Sequence, residues 1–400
     1  MENNKFFDLI LVWFCLALVG GSLLIITLPG IGKISVLDLA TITMVMWGIW
    51  QLRQIKLIKL PIILWAAGLF VLLALISLLG SLRMIGLPEM LISGLFLARW
   101  VVYVGLFVWA YSLSRTQHHR AFNFIGLSLG LIVLLGLLQL IISPNLAFWE
   151  RLGWDPHQNR LVSTFLDPNL LGGFLVLGLV IPLRQWLNSS PRKHWWWVWL
   201  LIVILINLAI FLTYSRSALL ALVVFWLIVG LRYWRVALVG LLLAGLVILV
   251  SPRLQTRVVG IFNMDITAQH RLDSWRDALT IIEQEPFLGV GYNTLPYTKA
   301  RFIYQPRSHA YSGFDSSLLT IATTTGSLGL AAYLAMVLLI LVGLLKKIWA
   351  KRQFLALGVL ASTVALISHS LFVNSWLYPP VLALWWVILG LAWSKNNTDD

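Results

Sequence analysis

The chain has 400 residues, is 60% hydrophobic and 11% charged, and has a mean hydropathy of +0.89. That balance excludes a soluble globular protein, because runs of about 20 apolar residues read as membrane-spanning helices. A net charge of +14 would suggest nucleic acid in a soluble chain, but here basic residues gather at the ends of apolar runs, as membrane topology requires, and nucleic acid is excluded as a partner.

In chain order, apolar helices are predicted near 8–28, 35–50, 60–79, 91–113, 121–143, 169–187, 195–213, 217–231, 236–250, 316–345, 354–373 and 380–393. The expected fold is therefore all-α, a polytopic membrane protein with about 12 transmembrane helices. One long hydrophilic loop, 251–314, should contain short helices. The first span follows Lys5 and has no small-residue cleavage site, so it reads as a retained helix. It holds Cys15, the single cysteine, which excludes an internal disulfide. The 21 tryptophans fit aromatic belts at the membrane interfaces. The tenth helix contains Gly326 and Gly329, where a longer or broken helix is expected.

Placing the N-terminus in the cytoplasm puts these basic residues there: Lys5; Arg53, Lys56, Lys59; Arg115, Arg120; Arg184, Arg192, Lys193; Arg232, Arg235; Lys346, Lys347, Lys351, Arg352; Lys395. They are 16 of the 29 lysines and arginines, which fixes the orientation by the positive-inside rule. Both termini are then cytoplasmic, and 251–314 lies outside the cytoplasmic membrane. The chain divides into helices 1–5 (1–150), a core with the outer loop (151–345), and two last helices with a tail (346–400).

Topology does not explain the other cations, among them Arg99, Arg160, Arg216, Arg253, Arg257, Arg271, Lys299 and Arg307, so an anionic partner is expected. In the long loop, Leu272, Trp275, Leu279 and Ile282 recur at helical spacing, with Asp273, Arg276, Asp277 and Glu283 on other faces. Arg271 is expected to begin this helix, Pro286 to end it, and Gly289-Val-Gly291 to turn tightly after it.

The sixth, eighth and tenth helices open on Asp167-Pro168-Asn169, Ser215-Arg216-Ser217 and Asp315-Ser316-Ser317. Each is a capping sequence, and helix N-termini suit phosphate oxygens. With Arg160, Arg216 and Arg271 beside them they would form a pyrophosphate site. The competing reading is ordinary caps with arginines reaching for lipid phosphate. Arg99, two turns inside the fourth helix, either lines a cavity opening outward or snorkels to the headgroups.

Among the histidines, His309 stands between Arg307 and the tenth-helix cap, and its imidazole suits a general base. His157 and His270 are external with no evident partner, His118 falls in a cytoplasmic loop, and His369 reads as packed. No GxxxxGK[ST], HExxH or GxSxG pattern occurs, so no cofactor or metal is expected. Apart from Asp38, acidic residues avoid the spans, which argues against a proton-coupled carboxylate relay.

Four runs occur in one order: Arg160-Leu-Val-Ser-Thr-Phe-Leu-Asp-Pro-Asn169; Thr213-Tyr-Ser-Arg-Ser-Ala218; Arg271-x-x-x-Trp275 leading into Pro286-Phe-Leu-Gly-Val-Gly291; and Gly326-Ser-Leu-Gly-Leu330. On these runs the chain resembles the O-antigen ligase and polymerase superfamily over about 160–330; the first 150 residues match only in hydropathy. The resemblance implies a GT-C-like membrane glycosyltransferase. It would pass a glycan from an undecaprenyl-pyrophosphate carrier to a glycan, lipid or protein acceptor, without metal or nucleotide sugar.

Carried over, Arg216 and Arg271 hold the pyrophosphate, with Arg160 and Arg99 adding to the site. Asn169, Ser215, Trp275 and Gly291 belong to the supporting motifs. Family members commonly carry His-Asn at the start of the tenth helix, whereas this chain has Asp315-Ser316, with His309 six residues before Asp315. The base is then His309 or, as second choice, Asp315. Membrane lipids and polysaccharide assembly proteins are the further partners. The alternative function is a transporter or flippase for an anionic solute or lipid-linked sugar, which predicts polar residues through to the inner side. A non-catalytic assembly scaffold would leave Arg216 and Arg271 dispensable.

Overall fold

The computed structural model describes all residues except 1, 29–31, 55–60, 153–154, 261–265, 304–312, 352 and 395–400. Its elements are α1 (Glu2–Gly20), β1 (Ile25–Leu28), β2 (Gly32–Ser35), α2 (Val36–Gln54), α3 (Ile62–Gly80), α4 (Leu87–Tyr111), α5 (Arg115–Ile142), α6 (Pro168–Gly178), α7 (Val180–Leu187), α8 (His194–Leu212), α9 (Arg216–Gly230), α10 (Trp234–Val250), α11 (Pro252–Val259), α12 (Ile266–Gln284), α13 (Leu295–Phe302), α14 (Ser317–Lys351), α15 (Phe354–Ser370) and α16 (Pro379–Trp393).

Among the described residues, seven helical stretches are long and apolar enough to cross a membrane, α6 and α7 forming one of them. Five shorter apolar helices accompany them: α2, α9, α10, α15 and α16. The protein is an all-α, polytopic integral membrane protein, and each of these twelve stretches overlaps one of the predicted spans. Its outer face shows large apolar side chains such as Trp65, Leu75, Ile141 and Trp349, which suits contact with lipid. α16 is buried from Pro380 to Ala392, as a helix apolar all round must be. It packs on α4, while α15 packs on α9 and α14 on α3.

The expectations need correction in several places. The first helix stops at Gly20; the rest of the predicted span is a short 3-10 turn (Gly21–Leu23) and strand β1, which pairs antiparallel with β2, Ile25 opposite Ser35. His118 is in α5, not a solvent loop; it is buried, with Nε2 3.1 Å from the Leu391 carbonyl oxygen. The loop helix α12 begins at Ile266, so Arg271 lies in its second turn rather than at its start. Its buried stripe is Ser274, Asp277, Ala278 and Ile281, whereas Leu279 is half exposed.

That stripe turned because the loop builds its own small core. Ala278 and Ile281 pack with Val290, Leu295, Ile303 and Phe314, next to Met84 and Leu319 of the bundle. Asp277, expected on a polar face, is buried opposite Lys299, with Nζ to Oδ2 at 3.9 Å. Lys299 also lies over the Phe314 ring at 4.9 Å.

α14 is broken at Gly326, whose φ of 66° and ψ of −171° lie outside the helical region. The break frees backbone groups that the 286–291 run then satisfies. Val290 N donates to Thr323 O (3.0 Å), Gly291 N to Thr324 O (3.1 Å), and Ser327 N to Pro286 O (2.8 Å). Ser77 Oγ of α3 donates to Leu288 O and Thr324 O, at 2.6 and 2.7 Å. Two glycine-containing motifs thus form one backbone-to-backbone joint that ties the loop to the bundle.

Candidate functional site

Three helix starts converge at one end of the bundle. At α6 the Asp167 carboxylate caps the helix, accepting from Asn169 N (2.7 Å) and Leu170 N (2.9 Å). At α9 the Ser215 hydroxyl accepts from Ala218 N at 3.4 Å. At α14 it is Ser316, rather than Asp315, whose hydroxyl accepts from Leu319 N (3.4 Å).

The connections between them are sharply turned. Asn159, Ser163 and Leu166 all have positive φ, as does Tyr214 at 51°. Such conformations cost about 1–2 kcal/mol per non-glycine residue. Surrounding bonds hold them: Ser163 Oγ donates to Ile132 O (2.6 Å), and Leu161 N donates to Leu212 O (2.9 Å). The turn at Tyr214 ends α8, restarts the chain as α9, and leaves the Thr213 carbonyl to receive Arg160 Nε at 2.8 Å.

Arg160 also donates from Nη2 to Asn169 Oδ1 at 3.4 Å, joining two of the motif runs. Its guanidinium pKa is pushed down to about 10, chiefly by burial; Asp167 acts in the opposite direction, and Arg257, Arg253 and Arg271 add to the lowering. Three further guanidinium groups therefore lie within electrostatic reach of Arg160. The sequence motifs pointed to Arg160 and Arg271; Arg253 and Arg257 of α11 were not assigned to the site. Arg253 stacks over the Tyr214 ring at 4.1 Å and donates to Asn159 O (2.7 Å) and Gln158 O (3.0 Å). Arg216, the first residue of α9, donates to Gly260 O at 2.7 Å and so ties α9 to the end of α11.

Arg271 and Trp275 are one turn apart on α12, so they share a face. Trp275 Nε1 donates to the Asp315 carbonyl (3.1 Å), while Asp315 N donates to the Ser274 hydroxyl (2.9 Å). The Arg-x-x-x-Trp pattern is thereby explained: its tryptophan positions the turn before α14, and its arginine supplies charge there. Burial raises the Asp315 carboxyl pKa; Arg271 opposes this, Asp167 reinforces it, and His270 and Lys299 oppose it.

His157 and His270, expected to lack partners, both stand beside the cluster. Burial lowers the His157 pKa, Asp167 raises it, Arg160 lowers it and Asp155 raises it. His270 acts on Asp315. His369 is packed as expected: fully buried, with Nδ1 3.0 Å from Ser375 Oγ and its ring against Gly173. Arg271 is within electrostatic reach of it. His309, the first-choice base, lies outside the described residues.

The structure thus gathers Arg160, Arg271, Asn169, Ser215, Trp275 and Asp315, with Arg216 three residues from the Thr213 carbonyl that holds Arg160. Gly291 serves the joint with α14. No described interaction links Arg99 to this group. Arg99 pairs with Asp38 (Nη2 to Oδ2, 3.0 Å) and donates to Lys33 O at 2.7 Å.

This arrangement places several arginines, three helix N-termini and the half-buried carboxylates of Asp167 and Asp315 around a common region, with the positive charge in excess, as an anion-binding site requires. Among comparisons with known proteins, residues 199–334 match the family described as O-antigen ligase. No curated protein matches the chain. The matched residues include Arg216, Arg271, Trp275, Gly291, Asp315 and Gly326, and leave out Arg99, Arg160 and Asn169.

Proposed function

We propose, starting from the match of residues 199–334 to the O-antigen ligase family, that the protein transfers a glycan from an undecaprenyl-pyrophosphate carrier to an acceptor hydroxyl. Glycan transfer of the O-antigen ligase or polymerase type is what the family supports. The carrier, the inverting course and the site residues are our reading. Transfer takes place at the outer face of the cytoplasmic membrane, with both termini cytoplasmic and residues 251–314 outside. Residues 1–150 and 346–400 flank the catalytic core of a GT-C-like enzyme.

One observation carries this reading: the guanidinium cluster around Arg160 and Arg271 lies where the starts of α6, α9 and α14 meet. A pyrophosphate carries its charge on oxygens that bidentate arginines and helix N–H groups match. In the reaction the acceptor oxygen attacks the anomeric carbon as the bond from that carbon to the phosphate oxygen breaks. The bonding pair leaves on the pyrophosphate, and fixed positive charge stabilises it there. Arg216 and Arg271 contact the pyrophosphate, and Arg160 sets the floor of the site between Thr213 and Asn169.

The acceptor proton goes to His309 or Asp315. Asp315 is held by both backbone groups, which favours a fixed direction of approach. As a base it must be ionised. Its raised pKa means that activity falls as pH drops through a value above the ordinary carboxylate range near about 4.

Reconstituted protein supplied with undecaprenyl-pyrophosphate-linked glycan and acceptor provides the test. Product should form in the presence of EDTA, and a requirement for added divalent metal would reject the arginine-based scheme. Asp315→Asn and His309→Ala are to be compared side by side. The variant lacking the base should lose about 100- to 10,000-fold in rate, and if that base is Asp315 the acid limb of the pH profile should vanish in Asp315→Asn. Equal, near-normal activity in both variants would leave neither residue as the base.

A further inference from the structure

An apolar groove runs along the flank of the bundle. α8 and α10 both pack on α9, and between them lies a space of about 520 Å³. Its lining recurs at i, i+3, i+4 spacing from Leu200 to Phe211 on α8 and from Val236 to Val247 on α10. Each helix therefore gives it one continuous face. Val203, Phe211, Trp226 and Ala244 form a buried floor, whereas Ile204, Val239 and Leu243 are exposed rims. The groove thus opens sideways, toward lipid.

The floor is held in place by specific contacts. Trp226 Nε1 donates to Asn207 Oδ1 (3.1 Å), and Asn207 Nδ2 donates to the Val203 carbonyl (2.8 Å). These bonds fix the indole and engage both polar atoms of Asn207, the one amide of the lining. Gly240 lets α10 close onto that indole: a Cβ there would stand 2.8 Å from Trp226 Cε2. The surface left to an occupant is hydrocarbon, which a hydrocarbon chain matches. From Arg235 to Val247 the groove follows α10 for about 18 Å, somewhat more than half of a hydrocarbon core about 30 Å thick.

Charge is confined to one end. Arg235 is the one charged residue of the lining, and its guanidinium lies 5.4 Å from the Trp234 ring centroid. Arg232, three residues earlier in the turn between α9 and α10, adds a second cation. Trp186, near the end of α7, lines the groove as well, so indoles stand here as they do at a membrane interface. Arg216 begins α9 at the opposite end, 15 residues or about 22 Å of helix away. An occupant must carry its anionic group at the α9–α10 turn and its chain toward the arginine cluster. The undecaprenyl carrier of the proposed reaction has this polarity reversed, with its charge beside Arg216.

We propose that the groove binds one acyl chain of an anionic phospholipid, with the lipid phosphate at Arg235 and Arg232. Basic residues between membrane helices at the headgroup level select such lipids. The inference stands without the transferase reading, since the groove and its two arginines are separate from the donor site.

The test is native mass spectrometry of the purified full-length protein, delipidated in detergent and titrated with dioleoyl phosphatidylglycerol, dioleoyl phosphatidylcholine or undecaprenyl phosphate. The wild type should bind phosphatidylglycerol at least about fivefold more tightly than phosphatidylcholine, and Arg232→Gln/Arg235→Gln should abolish that preference. Leu243→Trp on the rim and Ala244→Phe on the floor should each weaken phosphatidylglycerol by about tenfold or more, because they fill the space of the chain. Phosphatidylglycerol should also raise the unfolding temperature of the wild type and not that of Leu243→Trp, while the two proteins unfold alike without lipid. Equal affinity for the two phospholipids, a preference retained in the double arginine variant, or affinity unchanged in both groove variants would each overturn the proposal. Undecaprenyl phosphate bound more tightly than phosphatidylglycerol, and lost in Leu243→Trp, would overturn it too and assign the groove to the carrier's chain.

Discussion

Arg271→Ala is expected to lower glycan transfer by at least about a hundredfold while membrane insertion and expression stay normal, because in the proposed mechanism Arg271 supplies preorganised positive charge to the leaving group. Arg271 acts on Asp315 and Arg160 and stands one turn from Trp275, so it serves the donor region and the turn before α14 together. Arg216→Ala should show a similar loss, with one difference. Arg216 donates to Gly260 O, so its removal also loosens the end of α11. Arg→Lys at either position keeps the charge but loses the planar fork, so partial recovery is expected. The check is product per unit of membrane-inserted protein for each variant. Near-normal product in both alanine variants would contradict the pyrophosphate assignment and favour the scaffold reading.

Gly326→Ala should unfold the joint between α14 and the 286–291 run. The backbone at Gly326 occupies a region open essentially to glycine alone, a strain of about 1–3 kcal/mol for any other residue. The added Cβ would also stand 2.2 Å from both the carbonyl carbon and oxygen of Phe287. These are backbone atoms that cannot rotate away, and Gly289 on the facing run is as closely confined, against Thr323 O at 2.4 Å. Loss of the joint should detach the loop that carries Arg271, abolishing transfer and lowering the unfolding temperature together. Gly68→Ala is the control: a Cβ there meets nothing within 4 Å, and its place in helix α3 makes alanine neutral or slightly stabilising. Monodispersity and thermal unfolding in detergent measure both. A Gly326→Ala protein as stable as Gly68→Ala would contradict this account of the motif.

Much of the architecture was legible because the membrane imposes a simple code. Each apolar run that became a helix was long enough, and the polar breaks fell where the helices end. Asp167 and Ser215 were readable as caps since both precede an apolar run and carry acceptor side chains. The hairpin at 25–35 was hidden, because Ile25, Ile26 and Leu28 continue the apolar pattern of α1 beyond Gly20-Gly21. Periodicity also misjudged α12: it marks where apolar residues recur, yet the loop's private core buries Asp277 with Lys299 and leaves Leu279 outside.

The site was partly legible for a related reason. Arg160, Arg216 and Arg271 stand in motif runs, so local sequence draws attention to them. Arg253 reaches Asn159 and Gln158 across more than 90 positions of chain, a pairing no local pattern encodes. The connection between α15 and α16 was equally hidden, since its shape depends on Ser317, more than 50 positions away in the chain, as well as on the neighbouring His369. Arg99 was visible as a charge in a span, but its partner Asp38 could be assigned only once α2 and α4 were seen side by side.

The most direct measurement is the affinity of the wild-type protein, and of the Arg216→Ala/Arg271→Ala double variant, for undecaprenyl pyrophosphate against undecaprenol. The wild type should prefer the pyrophosphate by at least about tenfold, more at low salt than at high, since charge dominates the contact. The double variant should bind both alike. Equal wild-type affinity for the charged and uncharged lipids would contradict the claim that these arginines hold a pyrophosphate.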